Sequence, residues 1–323
     1  RSTQAKTLFP YTTLFRSTSP ATTTCTAEVS TPSLLPVAAL ALNALVWGLS
    51  WWPLRTLHAA GLHPLWTTAC VFTAAWLCIT LWRPQAWRGL KQHPHLWWLL
   101  LASGLTNVGF NWAVTTGDVV RVVLLFYLMP TWSLLLAWWL LGERPQPAAL
   151  ARMGLALVGV VLVLKTPDVD WPVPQSWPDV LALLGGLCFA LTNVLLLRLQ
   201  NTPEDSRMVA MFGGGALMAV LCALLAQAGG VVNAWVWDVG AWWPWALLLT
   251  LAFLLGNLAL QYGAARLNAH TTAMVMLSEV VFASASSVSL GVSTLTWRIA
   301  LGGGLIVLAA LLASQASADT PKP

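Results

Sequence analysis

Charge is what this sequence has least of. Only 8% of its 323 residues are Asp, Glu, Lys or Arg, against about 25% in soluble domains. A water-exposed surface needs polar groups, and this chain does not have enough of them to cover one. The five cysteines (Cys25, Cys70, Cys78, Cys188, Cys222) show no paired spacing, and four of them sit inside apolar runs, so neither disulfides nor a metal is expected. The five histidines (His58, His63, His93, His95, His270) fall in loops or at the ends of apolar runs, with no His/Glu spacing for a metal on one helix. A Gly-rich phosphate loop and a nucleophile elbow are missing too. These absences argue against an enzyme, a cofactor and a self-contained ATP-driven pump. The net charge of +5 is scattered between apolar runs, so it marks no nucleic-acid surface.

Apolar sequence fills the space that charge leaves. Hydrophobic residues make up 58% of the chain and the mean hydropathy is +0.71. A helix needs about 20 apolar residues to cross the hydrocarbon of a bilayer, and it satisfies its own backbone there. Ten such segments follow from Leu34 onward: Leu34–Pro53, Pro64–Trp82, Leu96–Thr116, Val119–Leu141, Ala148–Lys165, Val180–Leu199, Met208–Gln227, Trp243–Gly263, Ala269–Val292 and Trp297–Ser314. The expected partner is therefore the lipid bilayer. Of the 21 tryptophans, pairs such as Trp51-Trp52, Trp97-Trp98 and Trp242-Trp243 lie at span ends, where amphipathic rings anchor to the membrane interface.

Residues 1–33 differ. They are rich in Thr, Ser and Pro, with no sustained apolar run that would make a secretory signal. The chain opens on Arg1 and its first methionine is Met129, and the stretch Thr7 to Ser17 resembles translated adapter sequence. The head is expected to take no part in the fold, either as a disordered tail or as a non-native extension.

With the N-terminus on the cytoplasmic side, Lys and Arg divide twelve to four in favour of that side, which accounts for all 16. This is the bias that sets membrane orientation. Both termini are then cytoplasmic. The loop Thr166–Asp179, with Asp168, Asp170 and Asp179, is external.

The two halves match weakly in a common order. Leu101-Ala102-Ser103-Gly104-Leu105-Thr106-Asn107 aligns with Leu251-Ala252-Phe253-Leu254-Leu255-Gly256-Asn257. Asn111 then meets Gln261 and Trp112 meets Tyr262. Trp47-Gly48-Leu49-Ser50 meets Phe189-Ala190-Leu191-Thr192, and Gly142 meets Gly291. Five spans per half is an odd number, so the second half enters the membrane from the opposite side. Inverted repeats of this kind are a transporter architecture, with the solute site near the midplane between the halves. The expected fold class is an all-α integral membrane protein of ten transmembrane helices in two inverted five-helix repeats. Its divisions are a head (1–33), a first repeat (34–165), an external linker (166–179), a second repeat (180–314) and a cytoplasmic tail (315–323).

Polar side chains at membrane depth are the candidates for the site. Asn107 and Asn111 are four residues apart in span three, as are Asn257 and Gln261 in span eight, so each pair shares a helical face. An amide both donates and accepts and can hold a polar or zwitterionic solute without a fixed charge. Asn43, Trp47 and Ser50 form a stripe in span one, and Phe189, Thr192 and Asn193 a comparable one in span six. The same residue types also serve as hydrogen-bonding glue between membrane helices. Glu279 sits mid-span with no charged neighbour in sequence. A carboxylate there costs about 2.5–3.5 kcal/mol on the milder insertion scale, so it is expected to face a cavity, to be protonated, or to pair with a cation. Arg121 is either a snorkelling side chain at the outer end of span four or turns inward to meet Glu279 or an anionic group of the solute. Pro130 removes a backbone hydrogen bond in span four and is expected to kink it.

Trp47-Gly48-Leu49-Ser50, Tyr127-Leu128-Met129-Pro130 with Leu140-Leu141-Gly142-Glu143-Arg144, and Gly154 to Val163 together resemble the EamA-type family of drug/metabolite transporters, over about Leu34 to Ser314. The resemblance implies two inverted five-helix repeats around a central cavity lined mainly by spans one, three, four, six, eight and nine. It also implies an inner-membrane carrier that exports small metabolites such as amino acids or related amines. The second half departs from the family pattern: Glu279-Val280 stands where the family has a proline, and Gly291-Val292-Ser293 lacks the Glu-Arg pair. Tyr127 and Tyr262 complete the candidate set of solute contacts. A membrane-embedded enzyme and a non-transporting receptor or assembly protein are the alternative classes, and the short loops offer no catalytic cluster for the first.

The orientation is directly testable. A cysteine placed between Gln85 and Lys91 reacts with an impermeant thiol reagent only from the cytoplasm, and one between Val169 and Pro174 only from outside. The reverse pattern overturns both the orientation and the inverted repeat.

Overall fold

The computed structural model of the chain describes residues 34–136, 138–139, 146–165, 173–199, 201–235, 239–267 and 269–319. The head, the Leu140–Arg144 motif and the acidic pair Asp168 and Asp170 lie outside the described residues. Among the described residues all regular structure is helical, with no strand. In chain order the helices are α1 (Leu34–Leu49), α2 (Trp51–Ala59), α3 (Pro64–Trp82), α4 (Ala86–Gln92), α5 (Leu96–Thr116), α6 (Val119–Phe126) and α7 (Met129–Leu136). They continue with α8 (Pro147–Leu164), α9 (Trp177–Arg198), α10 (Glu204–Ala228), α11 (Val239–Ala264), α12 (Ala269–Met276), α13 (Ser278–Ser289) and α14 (Trp297–Asp319).

Among the described residues seven stretches are long and apolar enough to cross a membrane, counting α1 with α2 and α6 with α7: Leu34–Ala59, Pro64–Trp82, Val119–Leu136, Pro147–Leu164, Trp177–Leu196, Glu204–Ala228 and Trp242–Ala264. Helix α5 is long enough at 21 residues, but its amides Asn107 and Asn111 and its three tryptophans lower its apolarity. Two more apolar helices, Met274–Ser289 and Trp297–Leu312, are shorter.

Span ends differ from the sequence expectation where capping decides them. Span one does not stop at Pro53 but runs on to Ala59, bending at Ser50. Pro53 has no N–H to give the carbonyl of Leu49, and the Ser50 N–H and Oγ both turn back to the carbonyl of Trp47, at 3.2 and 2.7 Å. Helix α9 starts at Trp177 inside the expected linker, because Ser176 caps it by accepting from the Asp179 N–H at 3.4 Å, with Pro178 in the first turn. The segment 83–95, expected as a loop, contains α4. The tail after Ser314 continues as helix to Asp319.

Two further spans are broken in the middle. Pro130 leaves the carbonyl of Phe126 without an i+4 donor, and the chain turns at Tyr127–Leu128, where the Leu128 N–H reaches only the carbonyl of Leu125 (3.2 Å). Span nine has no proline, yet it breaks at Leu277. The Ser278 hydroxyl donates to the carbonyl of Val275 at 2.6 Å, and the Val280 N–H goes to Leu277 instead of Met276. Gly291, at φ +69°, closes α13 in the left-handed conformation that glycine adopts without strain. Its expected counterpart Gly142 lies outside the described residues.

Helix α5 packs against α9 and α10, α10 against α3, α1 against α11 and α13, and α8 against α14. Small residues let backbones meet at these crossings, the usual basis of packing where lipid gives no hydrophobic drive. A Cβ on Gly159 would lie 2.6 Å from the carbonyl of Gly302, and one on Gly302 equally close to that of Gly159. The tryptophan pairs divide. Trp52, Trp97, Trp98 and Trp243 are exposed as interface anchors would be, whereas Trp51 and Trp242 are buried. Trp51 is tied inward, its Nε1 donating to Ser286 Oγ at 3.0 Å.

Gly159→Val should destabilise the protein by about 1–3 kcal/mol, the usual cost of overpacking. Gly154→Val, at a position where an added Cβ meets nothing within 4 Å, should cost far less. Equal melting temperatures of the two variants in detergent would show that the α8–α14 crossing is not tight.

Candidate functional site

The broken and amide-bearing helices enclose a cavity of about 440 Å³. Its floor is aromatic. Trp47 of α1 stacks on Phe253 of α11 at 4.6 Å and 17°, and meets Phe110 of α5 edge-on at 6.1 Å. Phe110 continues to Phe126 at 4.8 Å, and Phe126 to Phe189 of α9 at 5.5 Å. Phe72 of α3 and Phe212 of α10 close the ring, so spans two and seven contribute walls that the family resemblance does not imply. Ala310 of α14 also contributes.

Of the residues singled out from sequence, Asn43, Trp47, Asn107, Tyr127, Pro130, Thr192, Asn193, Asn257 and Glu279 line this cavity. They come from six different spans. Ser50, Asn111, Gln261, Tyr262 and Arg121 are not on its wall, and each has a physical reason. Ser50 spends its hydroxyl on the bend in span one. Asn111 lies one turn from Asn107 toward the end where α3 packs, and donates to Thr68 Oγ1 at 3.2 Å while fully buried. Gln261 turns its amide onto Asn257, donating to Oδ1 at 2.6 Å, and so orients a cavity residue rather than facing the cavity itself. The Tyr262 ring lies under the Arg266 guanidinium at 3.9 Å. Ser103, Thr106, Met211 and Thr272 line the cavity and were not singled out. Ser103 sits four residues from Asn107 on the same helix, a spacing that could have pointed to it.

Glu279 stands in the first turn of α13, just past the break, and is 8% exposed. The Tyr127 hydroxyl, at the break in α6–α7, donates to Glu279 Oε2 at 2.9 Å and lies 3.2 Å from the carbonyl of Met276. The two discontinuities are thus joined by one phenol. That carbonyl is available because Val280 has turned to Leu277. Asn43 is fully buried. Its Nδ2 touches Met276 Sδ at 3.4 Å and its Oδ1 has no partner among the described residues. No Lys, Arg or His lies on the cavity wall among the described residues.

Arg121 is neither a snorkelling side chain nor the partner of Glu279. Its guanidinium forks onto Asp179, with Nε to Oδ1 at 2.8 Å and Nη2 to Oδ2 at 2.9 Å, and Nη1 donates to the carbonyl of Val163 at 3.0 Å. Asp179 also accepts from the Gln175 N–H at 3.0 Å. The pair ties span four to span six and to the end of span five, away from the cavity. Sequence reading placed Asp179 in a loop because the Ser176 cap was not recognised.

Helices of this kind around such a cavity define a membrane protein with an internal solute-sized compartment. Residues 34–165 match the EamA-like transporter family, so the resemblance read from the motifs holds over that half. An uncharacterized transporter of Pseudomonas aeruginosa is 35% identical over 81 residues, which is 24% of this chain and 27% of that protein. The match thus spans about a quarter of the curated relative's length. A solved crystal structure, 21% identical, superposes with a TM-score of 0.56 and covers 88% of this chain and 99% of its own, which shows a shared fold.

Asp179→Asn strands a buried guanidinium and should cost about 3–5 kcal/mol, read as a lowered melting temperature that Arg121→Gln partly restores. Glu279→Gln keeps an acceptor for Tyr127 and strands no cation, so its melting temperature should stay near wild type. A large loss for Glu279→Gln, restored by Arg121→Gln, would show that the two are coupled after all.

Proposed function

We propose that the chain is a ten-helix carrier of two inverted five-helix repeats, which moves small metabolites such as amino acids or related amines outward across the inner membrane by alternating access through the central cavity. The number of spans follows when α5, the pair α12–α13 and α14 join the seven long apolar stretches. Exchange of the halves supports the repeat. The crossing of α5 with α9 has its counterpart in α11 with α1, that of α5 with α10 in α11 with α3, and that of α7 with α9 in α13 with α1. The breaks correspond as well, because Met129 and Ser278, which open α7 and α13, stand in the same register as Gly142 and Gly291.

One observation carries alternating access: equivalent contacts are made at one end of the bundle and not at the other. Helix α2 wedges among α3, α5 and α11, and α6 touches α13, where the Val119 N–H donates to Ser293 Oγ at 3.2 Å. The counterparts at the opposite end, α9 with α11 and α7 with α12, make no comparable contact. Instead Met129 and Pro130 face Thr272 and Met276 across the cavity. A symmetric pair of repeats held in an asymmetric set of contacts has a second arrangement available, in which made and unmade contacts exchange. In the proposed orientation the shut end is external, so the present arrangement faces the cytoplasm. The latch at the shut end is Arg55. Its Nη2 donates to the carbonyl of Gly117 and its Nε to that of Val114 at 3.3 Å, at the carbonyl-rich end of α5.

The test joins transport to geometry. In liposomes the protein should move labelled amino acids or amines. In Arg55→Gln, spin labels at Thr56 and Thr116 should separate, and labels at Asn201 and Ala265 should approach. No movement of any solute by folded protein, with both label distances unchanged, would count against a carrier.

A further inference from the structure

We propose that the cavity selects organic monocations, an ammonium carried on an aromatic or otherwise apolar body, over the amino acid of the same body and over the matching carboxylic acid. The inference rests on the reading of this cavity as the solute site and narrows it to one chemical class.

The charge inventory is one-sided. Glu279 is the only carboxylate on the wall, and no Lys, Arg or His faces it among the described residues. The guanidiniums of spans one and four are committed elsewhere, Arg121 to Asp179 and Arg55 to the end of α5. A solute carboxylate would leave water to meet a like charge and no cation. An ammonium would leave water to meet an opposite charge. Desolvating a charge is unfavourable unless it is paired, so the wall itself separates the two.

Neutral groups lean the same way. The polar atoms with capacity left near Glu279 are acceptors: the second carboxylate oxygen, the carbonyl of Met276 released by the break at Leu277, and the unpartnered Oδ1 of Asn43. An ammonium has three protons to give and accepts nothing. The Asn257 Oδ1 already receives the Gln261 amide, which leaves its NH2 as a donor elsewhere on the wall, together with the amide of Asn193 and the hydroxyl of Thr272. Rings make up much of the apolar wall, Trp47, Phe72, Phe110, Phe126, Phe189 and Phe253 among them, beside methionine and leucine side chains. Aromatic faces are negative at their centres and attract cations, most strongly in a desolvated setting. They also cover a flat apolar body without asking it for hydrogen bonds.

Four probes of one shape isolate the charge: 2-phenylethylamine, phenylalanine, 3-phenylpropionate and the neutral 2-phenylethanol. Binding to the purified full chain in detergent at neutral pH is read by calorimetry and by the shift in melting temperature. The amine should bind at least tenfold more tightly than phenylalanine, and 3-phenylpropionate should not bind measurably. Glu279→Gln should weaken the amine at least tenfold and leave 2-phenylethanol unchanged. Phenylalanine binding as tightly as the amine, or an amine affinity indifferent to Glu279→Gln, overturns the inference while the carrier reading stands. Binding of none of the four overturns the inference too. If Phe253→Ala or a bulky Asn257→Trp then leaves liposome transport of every solute unaffected, the cavity is not the solute path and the site reading falls with it.

Discussion

In the middle of a bilayer no water is at hand to satisfy a peptide group, and an unpaired one costs several kcal/mol. Three breaks in three apolar spans are therefore the feature on which the rest of this structure turns. At two of them a serine hydroxyl takes over part of the lost bonding, Ser50 turning back on Trp47 and Ser278 on Val275. The third, at Leu128, is made by Pro130, and the Tyr127 hydroxyl beside it lies 3.2 Å from the Met276 carbonyl. The breaks at Leu128 and Leu277 lie where the cavity is, and the polar residues that line it cluster around them. Irregular backbone at this depth is tolerated where it borders a compartment of its own, so the breaks and the cavity account for each other.

The electrostatics divide along the same line. The strong ion pair, Arg121 with the buried Asp179, is held by further hydrogen bonds to the Val163 carbonyl and from the Gln175 N–H. Its geometry serves the fixed part of the bundle. The cavity holds a single carboxylate with one hydrogen bond from the described residues. A charge that costs free energy to bury and has capacity to spare is a poor structural element and a good reason for a compartment to select what enters it.

The general plan was legible from sequence because it depends on composition. Scarce charge, long apolar runs and amides recurring in register give the helices, the matched Asn107 and Asn257, and the isolation of Glu279. What was not legible depends on partners remote in sequence or on single hydrogen bonds. Arg121 and Asp179 are 58 positions apart, and no local pattern links them. The break in span nine needs only a serine hydroxyl, a weaker signal than the proline of span four. Asn111 and Asn107 share a face by spacing, yet one turn of helix carries Asn111 past the cavity to Thr68. Periodicity gives the direction of a side chain but not how far along the helix the cavity extends.

The bend at Ser50 belongs to span one alone. Helix α9, which occupies the corresponding place in the second half, runs without interruption from Trp177 to Arg198. In the proposed pair of repeats the two ends of the molecule are thus built from unlike parts. On one side a segment of nine residues, Trp51–Ala59, is set off by a turn at Ser50. On the other, α9 is a single rod of 22 residues. In the proposed cycle one gate is a flap and the other a lever, so the first should respond to local changes of side chain and the second to the thickness and stiffness of the surrounding bilayer.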